Sequence, residues 1–202
     1  MYKMNNRIIS FKVLNSTNDY LIDLHKKFNI QSNLVIISDS QKKGRGRRKK
    51  LWFSDYDSLT FSFSIQLNKH INSFKISMAT SLSLIKLLHN NNIKAMIKYP
   101  NDILIKNQKI AGILTEIISN QDKRYCIVGV GLNVNNRFFP NNLPHAVSMK
   151  QVLRHSLDKK SLLNAFFSNL DSCLFSDSLK SDYINQLYGV KNFISCLYKG
   201  SF

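Results

Sequence analysis

From Leu59 to Leu67 the chain alternates without a break. Leu59, Phe61, Phe63, Ile65 and Leu67 fall on one side, and Thr60, Ser62, Ser64 and Gln66 on the other. A period of two belongs to an extended strand, and this split predicts one apolar face on a core and one hydroxyl face toward solvent. Such a strand needs partners, so the chain is committed to a sheet. Ile8 to Leu14 and the apolar run Leu34-Val35-Ile36-Ile37 offer strands before it. Ala95 to Lys98, Ile103 to Ile105, Lys109 to Ile118 and Tyr125 to Val130 offer strands after it, with Lys106-Asn107-Gln108 as a hairpin turn. Helical spacing appears in three places. Ser16 followed by Asp19 reads as a capping box that opens a helix running to about Phe28, with Leu21, Ile22, Leu24 and Phe28 on its apolar face. Phe74 to about His89 repeats through Ile76, Ala79, Leu82, Ile85 and Leu88. From Met149 onward the pattern is again helical, with Leu162, Ala165, Phe166, Leu170 and Leu174 on one face. Pro140 and Pro144 mark an irregular loop. The expected class is α+β: a mixed, mostly antiparallel sheet flanked by helices.

The 202 residues are 44% hydrophobic, enough for one domain with a substantial core. No apolar run reaches membrane-span length, and the N-terminal stretch is too short for a signal peptide, so the expectation is a soluble cytoplasmic protein. Three cysteines, Cys126, Cys173 and Cys196, are widely spaced and odd in number, which argues against a disulfide framework or a zinc site. The histidines, His25, His70, His89, His145 and His155, show no ligand spacing and are expected at the surface or at helix ends. A net charge of +17, from 29 basic against 12 acidic residues, implies an anionic partner. Part of that surplus follows from a composition rich in Lys, Asn and Ile.

The densest charge is Lys42-Lys43-Gly44-Arg45-Gly46-Arg47-Arg48-Lys49-Lys50, seven cations around two glycines. Glycine permits close backbone approach, and arginine supplies planar paired donors for carboxylate and phosphate. This describes a loop that closes over an anion. It is neither a dinucleotide fingerprint nor a P-loop, because the third glycine, the following helix and the Gly-Lys-Ser/Thr ending are all missing. Three further clusters are ambiguous one at a time. Lys98-Tyr99-Pro100-Asn101-Asp102 is either a plain turn or short polar groups at a strand edge aimed into a cleft. In Lys109-Ile110-Ala111-Gly112-Ile113-Leu114-Thr115-Glu116, alternation puts Lys109 with Ala111, Ile113 and Thr115 unless a bulge intervenes, and Gly112 suggests close approach of a ligand or another backbone. Gly129-Val130-Gly131-Leu132-Asn133 is either an ordinary strand exit or a flat platform for a ligand.

Taken in order, Ser16-Thr17-Asn18, then Gln41 with Gly44-Arg45-Gly46-Arg47-Arg48 and Trp52, then Lys98 to Asp102, then Lys109 with Gly112, Leu114 and Glu116, then Gly129-x-Gly131-x-Asn133, this set resembles the biotin protein ligase family over roughly residues 8 to 150. The resemblance implies a class II synthetase-like catalytic domain. It also implies a two-step reaction: biotin's carboxylate attacks the α-phosphate of MgATP to give biotinyl-5′-AMP and pyrophosphate, and a lysine of a biotin carboxyl carrier protein then takes the acyl group as AMP leaves. It implies that Ser16, Thr17, Asn18, Gln41, Gly44, Gly112 and Leu114 surround biotin. Arg45, Gly46 and Arg47 would belong to the loop that orders over biotin and the adenylate, Arg48 and Lys50 would reach phosphates, and Trp52 would cover the adenine. Asn101 and Asp102 would hold phosphate or Mg²⁺, Lys109 would bridge the biotinyl carbonyl and the α-phosphate, and Asn133 would meet the nucleotide. Arg45, Arg47 and Lys109 are the implied catalytic groups.

The chain departs from the family pattern at Lys49, where a third glycine is common, and at Tyr99, where tryptophan is usual. It begins at the catalytic core with no preceding DNA-binding domain, so no specific DNA partner is implied. Residues 1–185 are the expected catalytic domain and 186–202 the remnant of a truncated SH3-like barrel. A homodimer through sheet edges also fits the resemblance, and no membrane partner does. Two other readings compete: a lipoate or octanoate ligase on the same fold, and a basic nucleic-acid-binding module. Lipoate enzymes typically show a glycine-triplet pattern that is absent here. The aromatics do not interleave with the basic run except at Trp52, which weakens a base-stacking platform.

Overall fold

The computed structural model describes residues 7–28, 30 and 34–189, with the side chain of Lys49 left aside. Among these residues seven strands form one sheet: β1 (Arg7–Leu14), β2 (Leu34–Gln41), β3 (Ser58–Gln66), β4 (Met96–Lys98), β5 (Asp102–Ile105), β6 (Gln108–Asn120) and β7 (Lys123–Asn133). The order across the sheet is β1-β2-β3-β7-β6-β5-β4. β1 and β2 run parallel and every other neighbouring pair is antiparallel. Among the described residues five helices accompany the sheet: α1 (Thr17–Lys27), α2 (Ser73–Asn90), α3 (Met149–Leu153), α4 (Lys159–Leu174) and α5 (Leu179–Asn185). The α+β class expected from the sequence is the class observed. The proposed C-terminal remnant falls largely outside the described residues, as does Cys196. Cys126 and Cys173 are free thiols buried in the core, and burial pushes Cys126 up to about 12.

The main core lies between the sheet and α2, α4 and α5. Phe61 and Phe63 of β3 meet Phe166 and Phe167 of α4 with ring centroids 5.0 to 6.0 Å apart. α2 is buried almost all round despite its serines. Thr80, Ser81 and Ser83 return their hydroxyls to the carbonyls of Ile76, Ser77 and Ala79 one turn back, which satisfies them without water.

The second face of β3 corrects the sequence reading. Thr60, Ser62 and Ser64 are as buried as their apolar neighbours. α1 lies over this face, and a smaller core of Leu21, Ile36, Tyr125 and Ile127 packs beneath it. The Thr60 hydroxyl donates to Ser38 O, and that of Ser62 contacts Thr17 Oγ1 and Asn18 Oδ1. His25, in the last turn of α1, is fully buried against Tyr125 and not at the surface. The helical pattern from Met149 is split in two, because Arg154 takes a left-handed φ of 66° that ends α3.

Candidate active site

The floor of the site is a row of mostly small residues across five strands. Registered pairing sets Ser38 beside Thr60, Thr60 beside Gly131, Gly131 beside Gly112, and Gly112 beside Asp102. Directly paired residues share a face, so these positions form one strip. The next row places Ser62, Gly129 and Leu114 side by side. The glycines are needed for what lies on them. A Cβ at Gly131 would collide with the Trp52 indole, and one at Gly129 with the Asn18 amide. Gly112 has Trp52 and the end of the Lys109 side chain at 3.1 to 3.2 Å from where its Cβ would stand.

Lys109 reaches this strip by a register shift. The β5–β6 pairing slips between Ile103 and Leu104, so that Ala111 faces Ile103 and Lys109 faces Leu104. Ile110 and Ala111 both turn into the core, and Lys109 falls on the opposite side from Ala111 and Ile113. Plain alternation had placed it with them. Its Nζ lies 2.7 Å from Asp102 Oδ1 and 5.4 Å from the centre of the Trp52 ring. The backbone of Lys109 is fixed from behind: its N–H donates to His145 O at 2.6 Å, and its carbonyl accepts from Val147 N and from Asn133 Nδ2.

The wall opposite is polar and continuous. Ser16 caps α1 by accepting from Asp19 N at 3.3 Å. The Asp19 carboxylate does not close the expected capping box; it pairs with Arg45. Gln41 Oε1 accepts from Thr17 N and Thr17 Oγ1, and Thr17 continues through Ser62 to Asn18. The basic segment folds into a small hairpin, with Trp52 N donating to Gly44 O and Gly46 N to Lys50 O, and a tight turn over Arg47–Lys49 in which Arg48 has φ 53°. Arg47 Nη1 donates to Asn101 Oδ1 at 3.2 Å across the opening. Burial alone would lower the Arg45 guanidinium, but its hydrogen bonds to Asp19 and Glu116 outweigh that and raise it above its ordinary value.

Together these walls enclose a cleft of about 510 Å³. Of the residues to which the resemblance gave a site role, all but Gly44 and Asn133 line it. Gly44 is buried behind the hairpin. Asn133 is 4% exposed, spends its amide on Lys109 O and Val147 O, and borders a second, mostly apolar cavity of about 220 Å³. Trp52 and Lys109 line both cavities, and Phe53, Phe139 and Leu143 close the smaller one. Sequence reasoning gave no role to the 136–146 loop, although Pro140 and Pro144 flagged it. It also gave none to Glu116, which was seen only as the end of a motif. Among the described residues, no group of three or more His, Cys, Asp or Glu side chains is placed to hold a metal ion.

A cleft whose charged lining is mostly cationic, on the glycine strip of a mixed sheet and under a basic flap, is a site built for an anionic ligand. A family model described as the biotin/lipoate A/B protein ligase family matches residues 10–133, and the chain belongs to that family. It is 31% identical over 170 residues to the bifunctional ligase/repressor BirA of Bacillus subtilis, covering 79% of this chain and 51% of that protein. It is 34% identical over 170 residues to biotin–protein ligase 2 of Arabidopsis thaliana, covering 79% and 50%. The chain thus spans about half the length of the curated relatives it matches. Among solved structures, it superposes on a biotin protein ligase from Aquifex aeolicus, in complex with biotin and ATP, with a TM-score of 0.77 and 28% identity, covering 91% of this chain and 78% of that one.

Proposed function

We propose that this chain activates biotin with ATP to biotinyl-5′-AMP and passes the acyl group to a lysine of a biotin carboxyl carrier protein. The observation that carries the reading is the convergence of Lys109 and Arg47 on one cleft, where they are linked through the neighbouring Asp102 and Asn101. Biotin's carboxylate and the triphosphate are both anions, and bringing them together needs fixed cations aimed where charge develops. Lys109, held by a register shift and by Asp102, is such a cation. Arg47, braced by Asn101, is the second. The polar chain Gln41–Thr17–Ser62–Asn18 offers paired donors and acceptors to a neutral polar head group, and the glycine strip seats the Trp52 indole and the Asn18 amide close against the sheet. The Trp52 N–H is buried without a partner among the described residues, a donor that a ligand in either cavity can complete. Asn133 acts here by holding Lys109 O, with contact to the nucleotide left to the loop beside it. Mg²⁺ enters as part of the substrate MgATP; Asp102, whose Oδ1 is taken by Lys109, offers it no preformed cage.

The flap gives the reactive anhydride a cover that keeps water out. In the second step the incoming lysine amine attacks the acyl carbonyl, and AMP departs from a carbon already polarised by Lys109. The test is labelled biotin with MgATP and a purified carrier domain. Label should appear as adenylate without the carrier and on the carrier with it. A folded preparation that yields neither ends the proposal. Lipoate offered in the same assay separates the two acyl substrates that the family description names. Among the described residues no helix is long and apolar enough to cross a membrane.

A further inference from the structure

The chain has one glutamate, Glu116, against eleven aspartates. It sits on the cleft face of β6, two positions beyond Leu114, and both of its oxygens accept from Arg45 Nη2, at 3.0 and 2.8 Å. Asn18 Nδ2 also donates to Oε2 at 2.8 Å, which fixes the carboxylate from the side of the buried polar chain. The same guanidinium is held by Asp19 of α1: Nε donates to Oδ2 at 3.1 Å, and Nη2 stands 2.5 Å from Oδ1. The first arginine of the flap is therefore fastened at once to a helix and to a strand. Arg45 and Glu116 are 35% and 28% exposed at the side chain, so the pairing is sheltered more than a surface ion pair.

Seven cations in nine residues should hold this segment open by mutual repulsion until an anionic ligand arrives. In this structure its first arginine is neutralised by two carboxylates. We propose that Glu116, with Asp19, is a positioning residue: an acidic latch that closes the flap before ligand binds. Arg45 is its anchor. Gly46 and the Arg47 side chain then face the cleft with part of the ordering cost already met. The longer reach of glutamate suits the distance from β6 to the flap, and an aspartate at this position would fall one methylene short. The consequence for turnover rests on the ligase reading above; the latch itself is a set of ion pairs and hydrogen bonds within the chain.

The test uses the whole chain without ligand. Trypsin cuts after exposed arginines, and Arg47 and Arg48 are exposed on the flap. Glu116→Gln keeps an acceptor for Asn18 and removes the charge, so cleavage at the flap should speed up about tenfold while a cooperative melt is retained. Glu116→Asp should not restore protection. Should the Glu116 variants fail to fold, Arg45→Gln breaks the same latch from the flap side. In the biotin assay, Glu116→Gln should raise the KM for biotin about tenfold with kcat within about threefold, the split expected when ordering, not chemistry, is lost. Equal cleavage rates for wild type and a folded latch variant would overturn the latch whatever the turnover. A wild type that makes no adenylate would overturn the ligase reading and leave the proteolysis comparison standing.

Discussion

Lys109 Nζ lies 2.7 Å from Asp102 Oδ1, and the two meet because β6 slips by one residue against β5 between Ile103 and Leu104. Without that slip the lysine would point with Ala111 and Ile113 into the helix-side core. Lys109→Ala should therefore remove the cation from the cleft while the fold survives, since the side chain is 36% exposed and supports no core contact. Adenylate formation should fall by about 10²–10³, the usual effect of losing one fixed stabiliser of developing charge. Pyrophosphate exchange measures this directly, and a rate within a few-fold of wild type would remove Lys109 from the proposed chemistry.

Arg47→Ala tests the cation that the flap supplies. Its guanidinium touches Asn101 and is otherwise open to the cleft, so its loss costs little structure. Adenylate formation should again fall by about 10²-fold or more. Asn101→Ala, which removes only the brace, should cost less than Arg47→Ala. The reverse ranking would mean that Asn101, and not the arginine, makes the important contact.

The sequence displayed some of this architecture openly and hid the rest for identifiable reasons. The inward face of β3 was plain in Leu59, Phe61, Phe63 and Ile65, because a period of two survives any arrangement of neighbours. Its other face was misjudged: serines and a threonine look like solvent residues until α1 is laid over them and their hydroxyls find Ser38, Thr17 and Asn18. Alternation also misplaced Lys109, since a bulge leaves no mark in residue types. The clusters that line the cleft were found as an ordered set, whereas periodicity alone left each of them as a turn or a strand exit. Asp19 was assigned to a helix cap because its true partner, Arg45, lies 26 residues away.

Gly131 bears the Trp52 ring, and the chain has a single tryptophan. Gly131→Ala places a methyl inside the space the indole occupies, so the ring must move off the strip. The cost should be about 1–3 kcal/mol of stability, the range for forcing an extra carbon into a packed site. Emission from the lone indole should shift to longer wavelength as the ring leaves its buried seat. In wild type, biotin with ATP should perturb the same signal. An unshifted spectrum in the folded variant would mean that the indole is not seated on Gly131 in solution.

His25 ties stability to pH. It is fully buried at the end of α1, its ring tilted against that of Tyr125 with centroids 4.6 Å apart, and neither ring nitrogen has a hydrogen-bond partner among the described residues. Burial lowers its pKa from the ordinary 6.5. In the window between the folded value and 6.5, the unfolded chain binds a proton that the native chain refuses. Stability therefore rises with pH through that window and is level above it. Within the window, each unit of acidification costs about 1.4 kcal/mol per proton. His25→Phe keeps a ring against Tyr125 and removes the titration. The other described histidines contribute equally to both proteins, so subtraction isolates His25. Thermal melts at pH 7.5 and pH 5 should show a larger fall for wild type than for the variant. Equal falls would mean that the imidazole is protonated in the native protein or reaches solvent.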